Sequence, residues 1–219
     1  MLTVGLIGAG RIGRVHASTI VQDEGSQLVA VADSVDENAK NLAKLYKVNP
    51  RSVDAIFEDN SIEAILIASS TDTHSDFIEK ASKAGKAILC EKPVDLSLAR
   101  AKRCLENTKS NEHLIMMGFN RRFDPNFVAL KKALDGGEIG TAELLSITSF
   151  DPAPPPIDYV KVSGGIFKDM MIHDFDMANF LYGELPKSIF VAASAIVDKK
   201  IAALGDYDTA VATLKYRDG

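Results

Sequence analysis

Three polar side chains in this sequence have the types and the spacing needed to move a proton. Lys92 stands in the motif Glu-Lys-Pro at residues 91–93, directly after an apolar run. Asp169 and His173 are four residues apart in a stretch with helical periodicity, so one helix face can present both to the same ligand. A neutral imidazole can accept a hydroxyl proton, a carboxylate can orient the imidazole, and an ammonium group can stabilise a developing alkoxide. The pattern therefore predicts acid-base catalysis, whereas each residue taken alone could be a solvated lysine or a packed histidine.

A glycine-rich segment near the amino terminus has the pattern of a phosphate-binding turn. Gly8, Gly10 and Gly13 follow an apolar run and precede a helical pattern, so unpaired N–H groups of the helix can face a pyrophosphate. Asp33 ends the next apolar run, about twenty residues later, where a carboxylate can bind a ribose hydroxyl and repel a 2′-phosphate. This pattern predicts a dinucleotide site that prefers NAD to NADP. The alternative is a tight turn that binds nothing.

Residues at the ends of later apolar runs are expected to reach the same cofactor. Ser69, Ser70 and Thr71 end one such run, at the edge where the carboxyl ends of parallel strands open onto a ligand. They could instead cap the helix that follows. The full set predicted at the cofactor is Gly8, Gly10, Arg11, Ile12, Gly13, Asp33, Ser69, Ser70, Thr71, His74, Glu91 and Lys92.

Apolar runs that alternate with helical patterns predict a parallel sheet with helices on both faces. A helix after Gly10 should bury Ile12, Val15 and Ile20, and Ser34 with Glu37 has the pattern of a capping box. The alternation predicts an α/β fold, with a Rossmann-type doubly wound sheet over residues 1–120. Strands are predicted at 2–7, 27–32, 64–68, 87–90 and 114–118, and helices at 11–20, 34–46, 73–84 and 97–110.

After residue 120 the pattern changes to that of an α+β domain with a mainly antiparallel open sheet. This second part, residues 121–219, is expected to be incomplete and to serve substrate binding and oligomerisation. Its predicted elements are helices at 125–134 and 166–182, strands at 142–149, 188–196 and 209–216, a proline-rich loop at 151–163 and a turn at 218–219.

Composition limits the classes of partner. The chain has 219 residues, of which 46% are hydrophobic, and a formal net charge of −5 without a long basic cluster, so nucleic acid is not an expected partner. No secretory signal or 18-residue apolar span is visible, which favours a cytoplasmic protein without a membrane partner. A cluster of His173, Asp174 and Asp176 could suggest a metal, but no second histidine follows at the i+4 position, and no metal is expected.

Five segments resemble one family, the Gfo/Idh/MocA oxidoreductases, and within it the inositol 2-dehydrogenases. They are GLIGAGRIGRVHA at 5–17, EKP at 91–93, GFNRRFDP at 118–125, DPAPPP at 151–156 and SGGIFKDMMIHDFDM at 163–177. The resemblance implies NAD-dependent oxidation of a secondary hydroxyl of a cyclic polyol, myo- or scyllo-inositol, to a ketone. It also implies that Lys92, Asp169 and His173 face the substrate.

Two further residues are candidates for substrate binding, and two alternative functions remain open. Arg122 and Asp151 could bind substrate hydroxyls, because polyols need several placed polar partners. Phe150 and Lys168 depart from the family pattern, which leaves another sugar or polyol open as the substrate. Family members continue well past the length of this chain and are often homo-oligomers, so a catalytically silent dinucleotide-binding or scaffold protein is the alternative of a different class.

Overall fold

The chain forms two compact units, each with its own secondary structure. The computed structural model describes residues 1–216, apart from the side chain of His113. The first unit is Met1–Gly118, and the second begins at Phe119. Within the described residues, no helix is both long enough and apolar enough to cross a membrane.

Six parallel strands form the sheet of the first unit, in the order β3-β2-β1-β4-β5-β6. The chain moves outward from β1 to β3, returns to the other side of β1 as β4, and moves outward again. The neighbours β1 and β4 therefore mark the point where the winding reverses, which is where ligands bind in such sheets. The strands are β1 Leu2–Ile7, β2 Ser26–Ala32, β3 Asn49–Pro50, β4 Ala64–Ile67, β5 Ala87–Cys90 and β6 Ile115–Met117.

Helices cover both faces of this sheet because successive strand residues point to opposite sides. Leu6 and Leu66 are paired in register and belong to the core under α1 and α2, whereas the next pair, Ile7 and Ile67, belongs to the core under the later helices. The helices are α1 Arg11–Gln22, α2 Asp36–Tyr46, α3 Val53–Glu58, α4 His74–Lys83 and α5 Leu98–Thr108, with shorter turns at Thr71–Thr73 and Lys109–Leu114.

The second unit combines helices with a two-stranded antiparallel sheet, in which Ser188 pairs with Lys215 and Ser194 with Thr209. A π-helical turn, Ile166–Met170, leads into a helix of 12 residues, Met171–Tyr182. The Tyr182 ring of this helix stacks on Tyr216, with centroids 4.3 Å apart. The elements are a short turn at Asn120–Phe123, α6 Pro125–Asp135, α7 Ile157–Ser163, α8 Met171–Tyr182, β7 Ser188–Ser194, α9 Lys199–Ala203 and β8 Thr209–Lys215.

Two predictions for the second unit are wrong. The stretch 142–149 forms no strand, because no strand among the described residues pairs with it. The second half of the proline-rich segment is the helix α7 rather than a loop. Pro156 before this helix and Gly164 after it, with φ 88°, are ordinary start and stop signals that the density of prolines obscured. The turn predicted at 218–219 lies outside the described residues.

Two predictions for the first unit are also corrected. Val15 is 54% exposed, because the buried face of α1 follows Gly13, Ala17 and Ile20 and Val15 lies off that face. The capping box does not form, since α2 begins at Asp36 without a side-chain cap. The short elements β3, α3 and α9 were not predicted.

Candidate active site

Two of the three glycines in the amino-terminal turn are required by close backbone packing. Gly8 has φ +105°, and a Cβ there would lie 2.3 Å from the carbonyl oxygen of Ala68. A Cβ on Gly13 would lie 2.0 Å from the carbonyl oxygen of Gly8. The turn therefore packs against the end of β4 and against the first turn of α1, which a side chain at either position would prevent.

At residue 10, no close packing within the chain requires a glycine. Its φ of −71° is open to any residue, and a Cβ there would meet no atom within 4 Å. Gly10 precedes the first turn of α1, whose N–H groups and positive dipole end suit an anion. Open space before a helix amino terminus fits a pyrophosphate that approaches the backbone closely, as the sequence predicts. Next to it, Arg11 is exposed, and Ile12 is half-buried against the core.

Asp33, which follows β2, accepts hydrogen bonds from backbone N–H groups of two segments, the glycine turn and the entry to α2. Its Oδ2 accepts a hydrogen bond of 2.6 Å from the N–H of Ala9, and its Oδ1 accepts one of 2.8 Å from the N–H of Val35. The carboxylate thus replaces the predicted capping box at the entry to α2. It also places a negative charge beside the glycine turn, at the position expected to meet a ribose.

Ser69, Ser70 and Thr71 lie between β4 and the short turn Thr71–Thr73, at the point where the sheet winding reverses. The Ser69 and Thr73 hydroxyl oxygens are 2.7 Å apart, and Thr73 Oγ1 donates to the carbonyl oxygen of Ser70. These hydroxyls stabilise the turn that precedes α4. Their contact with a cofactor stays a prediction.

His74 is enclosed by the chain itself. Its side chain is 2% exposed, with Nδ1 lying 2.8 Å from the carbonyl oxygen of Pro93 and Nε2 lying 3.1 Å from that of Ser69. Both ring nitrogens thus face backbone acceptors. This environment indicates an internal role, which joins the turn after β4 to the lysine motif. The cofactor contact expected from the sequence stays a prediction.

The lysine motif follows β5 and is anchored to the sheet. The N–H of Glu91 donates 2.9 Å to the carbonyl oxygen of Ile67, and the N–H of Gly118 donates 2.7 Å to that of Cys90. Lys92 is half-buried and precedes a cis peptide bond to Pro93. Lys92 therefore leaves the same edge of the sheet as the glycine turn and Asp33.

Glu91 makes a contact with His16 that the sequence did not predict. Its Oε1 lies 2.6 Å from Nε2 of His16 on α1, and both side chains are largely shielded from solvent. Burial works to raise the pKa of Glu91, but the hydrogen bond and charge of His16, with the charge of Lys92, hold the pKa below its ordinary value of 4.5. No spacing rule connects residues 75 apart, so no sequence signal was available for this pair.

In the second unit, Asp169 lies in the π-helical turn and His173 in the first turn of α8. The hydroxyl of Tyr159, on α7, donates a hydrogen bond of 2.9 Å to Oδ1 of Asp169. The His173 ring meets the Phe119 ring edge-on, with centroids 6.5 Å apart. The π-helical turn changes the straight helix expected over 166–182, and such turns occur often at functional sites. Tyr159 was missed because α7 was taken for a loop.

Arg122 has a strong partner within its own unit. Its Nε donates 2.8 Å to Oδ2 of Asp176 and its Nη2 donates 2.5 Å to Oδ1, and the guanidinium lies over the Phe180 ring, 5.1 Å from its centroid. The hydrogen bonds to Asp176 raise the pKa of Arg122 further. This bidentate pair gives Arg122 a structural role beside the predicted substrate contact.

The neighbouring Arg121 ties the irregular stretch to α8. Its Nη1 donates 2.5 Å to Oδ1 of Asp174, which also accepts 2.8 Å from the Ser149 hydroxyl. Asp151 is exposed on the segment that follows, and its role at the substrate stays a prediction. Among the residues that the structure describes, no group of three or more His, Cys, Asp and Glu side chains could hold a metal ion.

Comparison with known proteins gives the same family for both units. Residues 2–119 match the model described as oxidoreductase family, NAD-binding Rossmann fold, and residues 127–219 match the GFO/IDH/MocA carboxyl-terminal domain. The chain is 49% identical over 215 residues to an inositol 2-dehydrogenase of Rhizobium meliloti (strain 1021), an alignment that covers 98% of this chain and 65% of that protein.

Solved structures agree with this match. A myo-inositol dehydrogenase from Corynebacterium glutamicum ATCC 13032 is 40% identical with a TM-score of 0.95, over 100% of this chain and 66% of the other. A scyllo-inositol dehydrogenase from Lactobacillus casei, solved with NAD(H) and scyllo-inositol, is 27% identical with a TM-score of 0.86, over 100% and 67%. The chain spans about two thirds of the length of these relatives. It belongs to the GFO/IDH/MocA oxidoreductase family, and its first unit is the NAD-binding Rossmann fold of that family.

Proposed function

We propose that this chain carries the cofactor domain and the catalytic residues of an NAD-dependent dehydrogenase that oxidises one secondary hydroxyl of an inositol to a ketone. The observation that carries the proposal is the 49% identity to an inositol 2-dehydrogenase along nearly the whole chain, combined with the lysine motif beside the glycine turn. Because the chain spans about two thirds of its relatives, turnover by residues 1–219 is itself part of the proposal.

The first unit holds the dinucleotide in this proposal. Gly10 and the N–H groups of the first turn of α1 would hold the pyrophosphate, because a Cβ on Gly10 would meet no atom of the chain within 4 Å. The Asp33 carboxylate accepts a hydrogen bond from a ribose hydroxyl and repels a 2′-phosphate, which favours NAD over NADP. The bound nicotinamide supplies the hydride acceptor.

The chain's own side chains accept the proton of the substrate hydroxyl and stabilise the charge that remains. Neutral His173 accepts the proton of the substrate hydroxyl at an imidazole nitrogen, while the ammonium group of Lys92 stabilises the negative charge that develops on that oxygen. Asp169 orients the imidazole and favours its charged form after transfer. The Tyr159 hydroxyl, which donates to Asp169 Oδ1, limits the positions that this carboxylate can take.

A polyol substrate suits these groups better than an apolar alcohol would. A ring with several hydroxyls needs several fixed polar partners, and the second unit carries Asp151, Asp169 and His173 as candidates. Arg122 is a weaker candidate because Asp176 already holds its guanidinium by two hydrogen bonds. A shift of the hydroxyl positions changes these partners and leaves the proton transfer unaltered, so another sugar or polyol is the nearest alternative.

The test is a direct assay of the purified chain. NADH absorbance is followed after NAD is added with myo-inositol, scyllo-inositol or glucose, with NADP in parallel, and NAD binding is measured by calorimetry on the same sample. We expect turnover with an inositol and NAD. Turnover with glucose alone would contradict the substrate assignment, and NAD binding without turnover on any of the three would support a dinucleotide-binding protein instead.

A further inference from the structure

The segment that presents Lys92 is held by an imidazole on each side. On the amino-terminal side, Nε2 of His16 lies 2.6 Å from Oε1 of Glu91. On the carboxyl-terminal side, Nδ1 of His74 lies 2.8 Å from the carbonyl oxygen of Pro93. We call these four residues, His16, Glu91, His74 and Pro93, the imidazole brace. A single lysine is thus the only residue between two fixed points.

Each imidazole also reaches a segment that is predicted to form the dinucleotide site. His16 lies on α1, whose first turn follows Gly10, and His74 reaches the carbonyl oxygen of Ser69 at the end of β4. The brace therefore connects the lysine motif to both sides of the point where the sheet winding reverses.

Another buried cation in the same unit shows what a purely structural contact looks like. Lys86 is 4% exposed at the opposite end of β5, and its Nζ donates 2.7 Å and 2.8 Å to the carbonyl oxygens of Asp59 and Ile62. That contact is remote from the glycine turn and from Lys92. Lys86 is therefore a control: a change in the imidazole brace should alter the reactivity of Lys92 and leave that of Lys86 unchanged.

We infer that His16 is a positioning residue for Lys92, which acts through Glu91 and makes the position of the lysine depend on α1 and its glycine turn. His74 holds the other side of the same segment. The catalytic consequence rests on the proposed function, because it concerns the lysine that stabilises the alkoxide. Displacement of a catalytic group by about 1 Å can lower the rate by about a hundredfold, so a loose lysine should lower kcat without a matching loss of cofactor binding.

The first experiment compares His16→Ala, His16→Gln and Thr19→Ala. Thr19 is the matched control, since its exposed hydroxyl donates to the Val15 carbonyl oxygen of its own helix. We expect His16→Ala to lower kcat by about 10- to 100-fold, with a change of less than about threefold in the calorimetric Kd for NAD. Glutamine carries an N–H donor near the position of Nε2, so His16→Gln should recover much of kcat. Loss of NAD binding in parallel with kcat, or failure of glutamine to recover kcat, would overturn the inference.

A double-mutant cycle with Glu91→Ala tests whether His16 acts through Glu91. If it does, the double variant should have nearly the same kcat as either single variant, because both changes break one contact. If the two losses multiply, His16 acts independently of Glu91, and the inference is wrong.

A third readout does not depend on turnover. Acetic anhydride modifies accessible lysines, and mass spectrometry of the peptides gives the modification rate of each one. His16→Ala should accelerate modification of Lys92 several-fold and leave Lys86 and the exposed Lys102 unchanged. Equal modification rates of Lys92 in the wild type and in His16→Ala would contradict the proposed role of His16. A wild-type protein without turnover would contradict the proposed function only, since this measurement still decides the role of His16.

Discussion

The hydroxyl of Tyr159 donates a 2.9 Å hydrogen bond to Oδ1 of Asp169, and this contact joins α7 to the π-helical turn before α8. Both residues lie within the second unit, on either side of Gly164 and Gly165, whose φ values are +88° and +74°. The chain can fold back sharply there because glycine tolerates positive φ. The residues after the proline-rich segment are thereby linked to a carboxylate that we propose to be catalytic.

Tyr159→Phe should lower kcat while leaving the fold intact. The ring is 45% exposed, so loss of the hydroxyl removes the bond to Asp169 without creating a cavity. We expect kcat to fall by about 2- to 10-fold, which corresponds to a hydrogen bond of about 0.5–1.5 kcal/mol. Tyr207→Phe, at a ring that is 41% exposed and packs on Phe167, is the matched control. Equal kcat values for both variants would remove Tyr159 from the mechanism.

Lys92→Ala should abolish most of the hydride transfer and leave NAD affinity nearly unchanged. Electrostatic stabilisation of a developing oxyanion is worth about 100- to 1,000-fold in kcat, whereas a half-buried lysine beside a cationic ring adds little to cofactor binding. Stopped-flow NADH formation and calorimetry measure the two effects separately. Lys102→Ala, on the exposed side of α5, is the control. Turnover close to wild type would exclude the proposed role of Lys92.

Gly10→Ala should weaken NAD binding, whereas Gly13→Ala should lower the stability of the protein. A methyl group at residue 10 meets no atom within 4 Å, so the protein should unfold at the wild-type temperature but bind NAD about tenfold more weakly, because the methyl enters the pyrophosphate space. At residue 13 the methyl would lie 2.0 Å from a carbonyl oxygen and should cost about 1–3 kcal/mol of unfolding free energy. Thermal unfolding and calorimetry distinguish these outcomes. Unchanged NAD affinity in Gly10→Ala would place the pyrophosphate elsewhere.

Asp33→Asn should reduce the preference for NAD over NADP. The amide keeps one oxygen for a backbone N–H group and loses the charge that repels a 2′-phosphate, so we expect the ratio of the two affinities to fall by about tenfold. Asp36→Asn, exposed in the first turn of α2, is the control. The account of ribose recognition would be wrong if the ratio stayed the same.

Glu91→Gln should destabilise the protein in a pH-dependent way. The pKa of Glu91 is lower in the folded chain than its ordinary value of 4.5, so its charge stabilises the fold fully above that value. This contribution is lost as the pH falls below 4.5 through the lower pKa of the folded state. Near pH 7 we expect Glu91→Gln to lower the unfolding free energy by about 1–2 kcal/mol. The difference should shrink in denaturant titrations at low pH, and the exposed Glu106→Gln should show no such trend.

Local sequence patterns were sufficient to predict most strands and helices of the first unit. Strands such as Ala87–Cys90 and helices such as Leu98–Thr108 follow from apolar runs, periodicity and caps, all of which are properties of neighbouring residues. The same reasoning was wrong for the stretch 142–149, because a strand forms only when another strand pairs with it. It was also wrong for Ile157–Ser163, where prolines outweighed the start and stop signals of a short helix.

For the candidate site too, some properties follow from local sequence and others from the tertiary structure. By itself, the sequence determined which residues could do the chemistry, because Gly8, Gly10, Gly13, Asp33 and Lys92 are recognisable by type and spacing. Only the tertiary structure decided what holds them, since the pairs Ala9 with Asp33, His16 with Glu91, His74 with Pro93 and Arg122 with Asp176 join residues far apart in the chain. A hydrogen bond between distant residues depends on where the backbone brings two side chains, and no local pattern encodes that position.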